Sequence, residues 1–231
     1  MRRPRPVVAI DGPAGAGKST AAKGVASALA FTLVDTGSLY RAVALLAQEA
    51  GVDFADVAAV EALAREAVAN GALRLAGAGR ETRVMIRGTD PGEKIRTPAL
   101  SMGASTVSAY PGVRAALLDA QRRFGRDGGV VLEGRDIGTV VFPDAEVKVF
   151  LSARPEVRAR RRWEELTTRG VAADFDETLA DVVRRDAQDA QRAIAPLRIA
   201  EDAFQLDASE LTADEVVAAI VARVRAVARG G

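Results

Sequence analysis

The sequence predicts an α/β fold built on a parallel sheet, and three observations carry that prediction. Short apolar runs alternate with long amphipathic stretches, the pattern left by successive strand–helix units. The first apolar run, Val7–Ile10, passes directly into GPAGAGKS (Gly12–Ser19). That octet matches G-x-x-x-x-G-K-[ST], the turn from strand to helix around a phosphate. Between about Val57 and Thr97 the rhythm changes to hairpin-like segments, which marks an inserted α+β subdomain in an otherwise single domain spanning residues 1–231.

The elements follow in order. Val7–Ile10 is uniformly apolar and reads as a buried strand. Lys18–Ala30 places Ala21, Val25, Ala28 and Leu29 at helical spacing, and Thr32–Val34 is a short second strand. Ser38–Glu49 is a helix with Val43, Leu46 and Ala47 on one face, and Val57–Asn70 is another helix. GALRLAGAGRETRVMIRGTD then alternates like two short strands joined by glycine-rich turns. Val130–Glu133 and Val147–Leu151 are the clearest later strands, and Pro155–Arg169, Phe175–Ala193 and Leu211–Val227 are helical. Asp174-x-x-Glu177 and Thr212-x-x-Glu215 offer capping boxes at two of those helix starts.

Composition removes whole classes of chemistry. The 231 residues include no cysteine and no histidine, so disulfides, thiolate nucleophiles, imidazole bases and most zinc sites are excluded. Any metal must be hard and oxygen-liganded, which points to Mg²⁺. The net charge of +1 gives no general attraction to nucleic acid or to an acidic membrane. The basic MRRPRP start is not followed by a long apolar run, so a soluble, cytoplasmic protein is expected.

The phosphate loop states its chemistry most directly. Gly12, Gly15 and Gly17 let the backbone turn its N–H groups toward an anion, and the following helix points its positive end at the same spot. Lys18 can reach the outer phosphates of a nucleoside triphosphate, and Ser19 can place a hydroxyl on Mg²⁺. A Ras-type switch is excluded, because the single asparagine, Asn70, is followed by Gly71 and no N-K-x-D motif exists. VVLEGRD, with Glu133 and Asp136, is the nearest approach to the acidic strand end of a motor ATPase.

Four further clusters each have two readings. In VDTGSLYRAV, Arg41 suits an acceptor's phosphate, while Asp35 and Thr36 equally suit a helix cap and Tyr40 simple packing. VVLEGRDIGTVVFPDA delivers Glu133, Gly134, Arg135 and Asp136 at a strand's C-terminal end, where ligands bind in such sheets, though a turn with an incidental ion pair is the plainer alternative. Arg158, Arg160, Arg161 and Arg162 crowd one helix and form either a solvated face or a phosphate-closing segment. Arg185, Asp189 and Arg192 share one helical face, as a ligand site or a surface ladder.

Taken together, IDGPAGAGKST, DTGSLYRA, IRTPALSMGASTVSAYPGVR, EGRDIGTVVFPDA and RRDAQDAQRAIAPL resemble the bacterial cytidylate kinases, in order and spacing, from Val7 to about Asp207. The resemblance implies a P-loop kinase with a five-stranded parallel sheet and helices on both faces, moving the γ-phosphate of ATP to CMP or dCMP with Mg²⁺. It places the insertion at about residues 57–97 and a helical lid at about 155–172. ATP falls on Gly12, Pro13, Ala14, Gly15, Ala16, Gly17, Lys18, Ser19 and Thr20, with Ser19 on the metal. The acceptor's phosphate falls on Tyr40, Arg41 and Arg135, with Thr36 beside them. Its cytosine falls on Ser105, Arg114, Asp136 and Arg192, and its ribose on Arg185 and Asp189. Lys18, Arg41, Arg135 and the lid arginines Arg161 and Arg162 are the implied catalytic set. A monomer without nucleic-acid or membrane partners is implied as well. Another small-molecule kinase of the adenylate or shikimate type, or a regulatory ATPase, is the alternative.

Overall fold

A computed structural model describes residues 3–78 and 80–229; Met1 and Arg2 of the basic start, Gly79 of the expected hairpin and the final two glycines lie outside the described residues. In chain order the elements are β1 (Val7–Asp11), α1 (Lys18–Leu29), β2 (Thr32–Asp35), α2 (Gly37–Glu49), α3 (Val57–Ala69), β3 (Leu73–Ala78) and β4 (Glu81–Ile86). There follow α4 (Pro98–Val107), α5 (Pro111–Gly125), β5 (Val130–Gly134), β6 (Val147–Ser152), α6 (Pro155–Thr168), α7 (Phe175–Gln191), β7 (Phe204–Asp207) and α8 (Ala213–Arg229).

The sheet has seven strands in the order β3-β4-β2-β5-β1-β6-β7, where the resemblance implied five. The run β2-β5-β1-β6-β7 is wholly parallel. The other two strands are the antiparallel hairpin of β3 and β4, which adds to the edge of β2. That junction is one residue pair, Leu33 opposite Glu81, with the Leu33 N–H donating to the Arg80 carbonyl at 2.8 Å. So short a pairing leaves no periodic trace in the sequence.

Alternation along β1 shows why both faces are covered. Val7 and Ala9 face a core shared with Leu39, Val43, Val60, Leu117 and Leu132. Val8 and Ile10 face a second core with Ala21, Val25, Val149, Leu151, Val216 and Ile220. Each fully buried side chain such as Ile10, Leu132 or Leu151 contributes roughly 1.5–3 kcal/mol. The first core continues through Ala64, Leu75, Val84 and Ile86, so α3 and the hairpin share it. α8 is fixed at its start by a reciprocal box, in which the Thr212 N–H donates to Glu215 Oε2 at 2.8 Å and the Glu215 N–H to Thr212 Oγ1 at 3.3 Å. At α7 Asp174 accepts the Glu177 N–H at 2.9 Å.

The registers align strand ends. Asp11 lies opposite Gly134, Asp35 opposite Glu133 and Ser152 opposite Asp207. All five parallel strands therefore finish at one edge of the sheet, and the motif-bearing loops leave from it.

Candidate active site

The loop from Gly12 to Gly17 rises from β1 over that edge. Gly12 has φ +150°, and a methyl group there would collide with the Leu151 carbonyl, so the loop leaves the sheet at a point where only glycine fits. Gly17, in the left-handed conformation at φ 91°, opens α1, and no side chain caps the helix and no acidic residue stands in its first turn. The first N–H groups of α1 thus face outward with the helix dipole behind them, ready for an anion. The loop's carbonyls are occupied elsewhere: Lys18 Nζ donates to the Pro13 carbonyl at 2.6 Å, and Arg158 Nη1 to that of Ala14 at 3.1 Å.

Lys18 is 5% exposed, and burial pushes its ammonium well below the ordinary lysine value, with Arg135 nearby acting in the same direction. Arriving phosphate charge reverses that penalty. Ser19 Oγ donates to Glu133 Oε2 at 2.9 Å. Burial, reinforced by Asp35, raises the Glu133 carboxyl above the ordinary glutamate range. A hydroxyl paired with a carboxylate is an oxygen donor set suited to a hard divalent cation. Among the described residues no group of three or more carboxylates could hold a metal on its own. One side of the loop opens into a cleft walled by Ala16, Gly17, Thr20, Leu151, Arg161, Ala208 and Val216. Arg161 is anchored there by donating to the Ala208 carbonyl at 2.7 Å.

On the other side lies a second cleft. Its walls include Thr36, Tyr40, Arg41, Ser105, Arg114, Arg135, Asp136, Arg185 and Arg192, drawn from α2, α4, α5, the end of β5 and α7. Every acceptor-side residue expected from the sequence is therefore in one place except Asp189, which lies fully buried beneath. Arg135 Nε donates to Asp189 Oδ2 at 2.8 Å, and Arg192 pairs with the same carboxylate. Burial works to raise Asp189, but Arg135 and Arg192 together hold it below the ordinary aspartate value. Asp136 pairs with Arg114, yet burial keeps its carboxyl above the ordinary value. Arg41 Nη2 donates to Asp35 Oδ2 at 2.7 Å, and Thr36 Oγ1 to the Glu133 carbonyl at 2.7 Å. Arg114 also lies over the Tyr40 ring, 5.7 Å from its centroid.

Three buried polar atoms in this cleft have no hydrogen-bond partner: Arg41 Nε, Ser105 Oγ and Arg185 Nε. Buried polar groups are ordinarily satisfied, so orphans gathered in one cleft mark where a polar ligand belongs. Burial, with Arg135 adding repulsion, lowers Arg185 to about 10. The cleft is thus short of negative charge.

Two arginines of α6 are held in different ways. Arg162 walls neither cleft and pairs with Glu165 on its own helix at 2.8 Å. A charge three residues along the same helix is simply its nearest partner. Arg158, read only as one of several helix arginines, is 3% exposed and braces the loop. The sequence reading also passed over Asp11. Its buried carboxylate accepts the N–H groups of Ile137 at 2.8 Å and Gly138 at 2.7 Å, pinning to β1 the turn that presents Arg135 and Asp136. An acidic residue closing a fully apolar strand was the available signal for it.

A family model described as Cytidylate kinase matches residues 8–226. A cytidylate kinase of Geobacter sp. (strain M21) is 51% identical over 211 residues, covering 91% of this chain and 89% of that protein. One from Pelotomaculum thermopropionicum is 49% identical over 221 residues, covering 96% of each. Among solved structures, a gluconokinase from Sinorhizobium meliloti superposes with a TM-score of 0.50 at 14% identity, covering 99% of this chain and 97% of that one, which supports the fold alone.

Proposed function

The chain belongs to the cytidylate kinase family and is a phosphotransferase that phosphorylates CMP or dCMP from ATP, and we propose the following assignment of that chemistry to its residues. The observation that supports it most is the second cleft, where five arginines, Asp136 and three unpartnered polar atoms meet beside the phosphate loop.

ATP places its phosphates on the loop of residues 12–20, whose backbone N–H groups, absent only at Pro13, face them, with Lys18 at the outer phosphates. Its base enters the cleft beside Thr20, Arg161 and Val216. Ser19, supported by Glu133, fits Mg²⁺, whose part is to neutralise charge on the phosphates. The acceptor phosphate lies between Arg41 and Arg135, near Thr36 and Tyr40, where planar guanidinium forks match its oxygens. Cytosine offers an amino donor at N4 and acceptors at N3 and O2. Asp136 and Ser105 take the donor, and Arg114 and Arg192 serve the acceptors. Uracil reverses that pattern and is disfavoured. Arg185 faces the ribose, whereas Asp189, buried with its two oxygens held by Arg135 and Arg192, supports those arginines from beneath rather than touching the sugar.

Transfer is in-line, with little covalent work left to the protein. The acceptor's own phosphate oxygen is the nucleophile, so the lack of histidine is no obstacle. Lys18 and the loop N–H groups stabilise charge on the transferring group, and Arg41 and Arg135 align the acceptor. The lid falls within about residues 155–172, and its part beyond the anchored Arg158 closes, bringing Arg161 and Arg162 toward the γ-phosphate and excluding water. Residues 57–97 form the acceptor-side insertion. The chain works as a monomer; none of its described helices is long and apolar enough to cross a membrane.

The test is ADP release from ATP with CMP, dCMP, UMP, AMP, GMP and shikimate offered singly. CMP and dCMP are expected to exceed the rest by a wide margin. Equal ADP release without any acceptor would overturn the reading in favour of an ATPase.

A further inference from the structure

Arg158 stands apart from its neighbours on α6. Arg162 stays half-buried against Glu165, whereas Arg158 is almost wholly buried and every arm of its guanidinium is committed. Nε donates to the Ala153 carbonyl at 2.7 Å. Nη1 donates to the Ala14 carbonyl at 3.1 Å and to Asp186 Oδ1 at 2.9 Å, and Nη2 to Asp186 Oδ2 at 2.5 Å. Its backbone also supports the loop, because a Cβ on Gly15 would stand 3.0 Å from Arg158 Cβ and 3.1 Å from its carbonyl oxygen.

Asp186 lies on α7, one residue from Arg185 and three from Asp189. The two-pronged pair therefore joins the phosphate loop to the helix that supplies the acceptor side. Arg158 is buried and Asp186 partly exposed, and an ion pair that desolvates one partner so fully is an inefficient way to gain stability. What a fork-to-carboxylate contact adds is a fixed distance and a fixed angle. In-line transfer between two separately bound nucleotides depends on that geometry.

We propose that Arg158 and Asp186 are a positioning pair that holds α7 in register with the phosphate loop, so that the acceptor oxygen lines up with the γ-phosphate. This rests on the reading that Arg185 and Arg192, supported by the buried Asp189, hold the acceptor. Neither member touches a substrate. Their loss lowers turnover in the ternary complex while leaving each substrate's separate affinity in place.

The experiment uses the full chain carrying Asp186→Asn, Arg158→Lys and both together. Each is measured for kcat, for the Kd of ATP alone and of CMP alone, and for the fraction of folded sites by nucleotide titration. The expected result is a fall in kcat per folded site of about tenfold or more in each single variant, with both separate Kd values within about twofold of the parent. The double variant is expected to be no slower than the worse single one, since both remove one interaction. Unchanged kcat per folded site, with only the melting temperature lowered, would overturn the proposal and leave a plain structural brace. Additive losses in the double variant would overturn it too. Arg185→Ala, measured alongside, separates the two readings. Unchanged CMP affinity there refutes the acceptor assignment itself, whereas weakened CMP binding there beside a fully active Asp186→Asn refutes the positioning pair alone.

Discussion

The two halves of the site are built from different materials. The phosphate loop is one unbroken stretch whose donors are backbone N–H groups, aimed by Gly12, Gly15 and Gly17 at positive φ and by the uncapped start of α1. The acceptor cleft is assembled from α2, α4, α5, the end of β5 and α7, and its donors are side chains held by one another: Arg41 by Asp35, Arg114 by Asp136, Arg135 and Arg192 by Asp189. A backbone cradle tolerates changes in most of its side chains. A side-chain cradle fails piece by piece, and each piece has its own signature.

The sharpest way to break that contrast is to compare one residue from each half. Arg135→Ala removes an acceptor ligand and frees one edge of Asp189, and kcat is expected to fall about 10³-fold with the fold retained. Pro13→Ala leaves untouched the carbonyl that Lys18 uses, and kcat should stay within about twofold. Steady-state kinetics beside thermal melts decide it. Equal losses in the two variants would mean that the loop depends on its side chains as much as the cleft does.

A smaller effect sharpens the cleft itself. Asp136→Asn keeps the volume but turns one acceptor into a donor, against both the cytosine amino group and Arg114. KM for CMP should rise about 10- to 100-fold, and the preference for CMP over UMP should narrow, because the amide can face the uracil carbonyl. A rise in KM with selectivity intact would place the base reading elsewhere in the cleft.

The same division explains what could be read from the sequence. The loop was legible because a local motif dictates it: Val7–Ile10, three glycines, Lys18 and Ser19 carry their geometry wherever they occur. The acceptor residues were nameable only through resemblance, since nothing in Ser105 or Arg192 alone announces that tertiary structure will bring them together. The strand ends at Asp35 and Gly134 were readable from apolar runs. β7 leaves little trace in the sequence, being four residues of partly exposed Phe-Gln-Leu-Asp. α4 leaves little more, because its small residues in ALSMGAST give little contrast between faces. Arg158 could not be told from Arg160, Arg161 and Arg162, because only folding decides which of four helix arginines is buried.

The last comparison sets two carboxylates, one from each half, against each other. Asp11 is held by backbone donors and Asp189 by arginines. For Asp11 burial dominates, and the N–H groups of Gly138 and Ile137 offset it only in part, so its pKa rises from 3.8 to about 6. The folded chain then binds a proton that the unfolded chain has already lost. Stability from this group is fully present below 3.8 and is lost as pH rises to about 6, a change of about 3 kcal/mol. Asp189 is lowered, so its contribution has the opposite sign: present above the ordinary aspartate value and lost as pH falls through the folded one. Unfolding free energies of the parent, Asp11→Asn and Asp189→Asn chains across pH 3.5 to 7 isolate each slope, because the cost of swapping an oxygen for an amide does not depend on pH. The parent's advantage over Asp11→Asn should shrink as pH rises, while its advantage over Asp189→Asn should grow. Two slopes of the same sign would mean that both carboxylates answer mainly to burial, and that the arginines of the acceptor cleft hold Asp189 no more firmly than backbone amides hold Asp11.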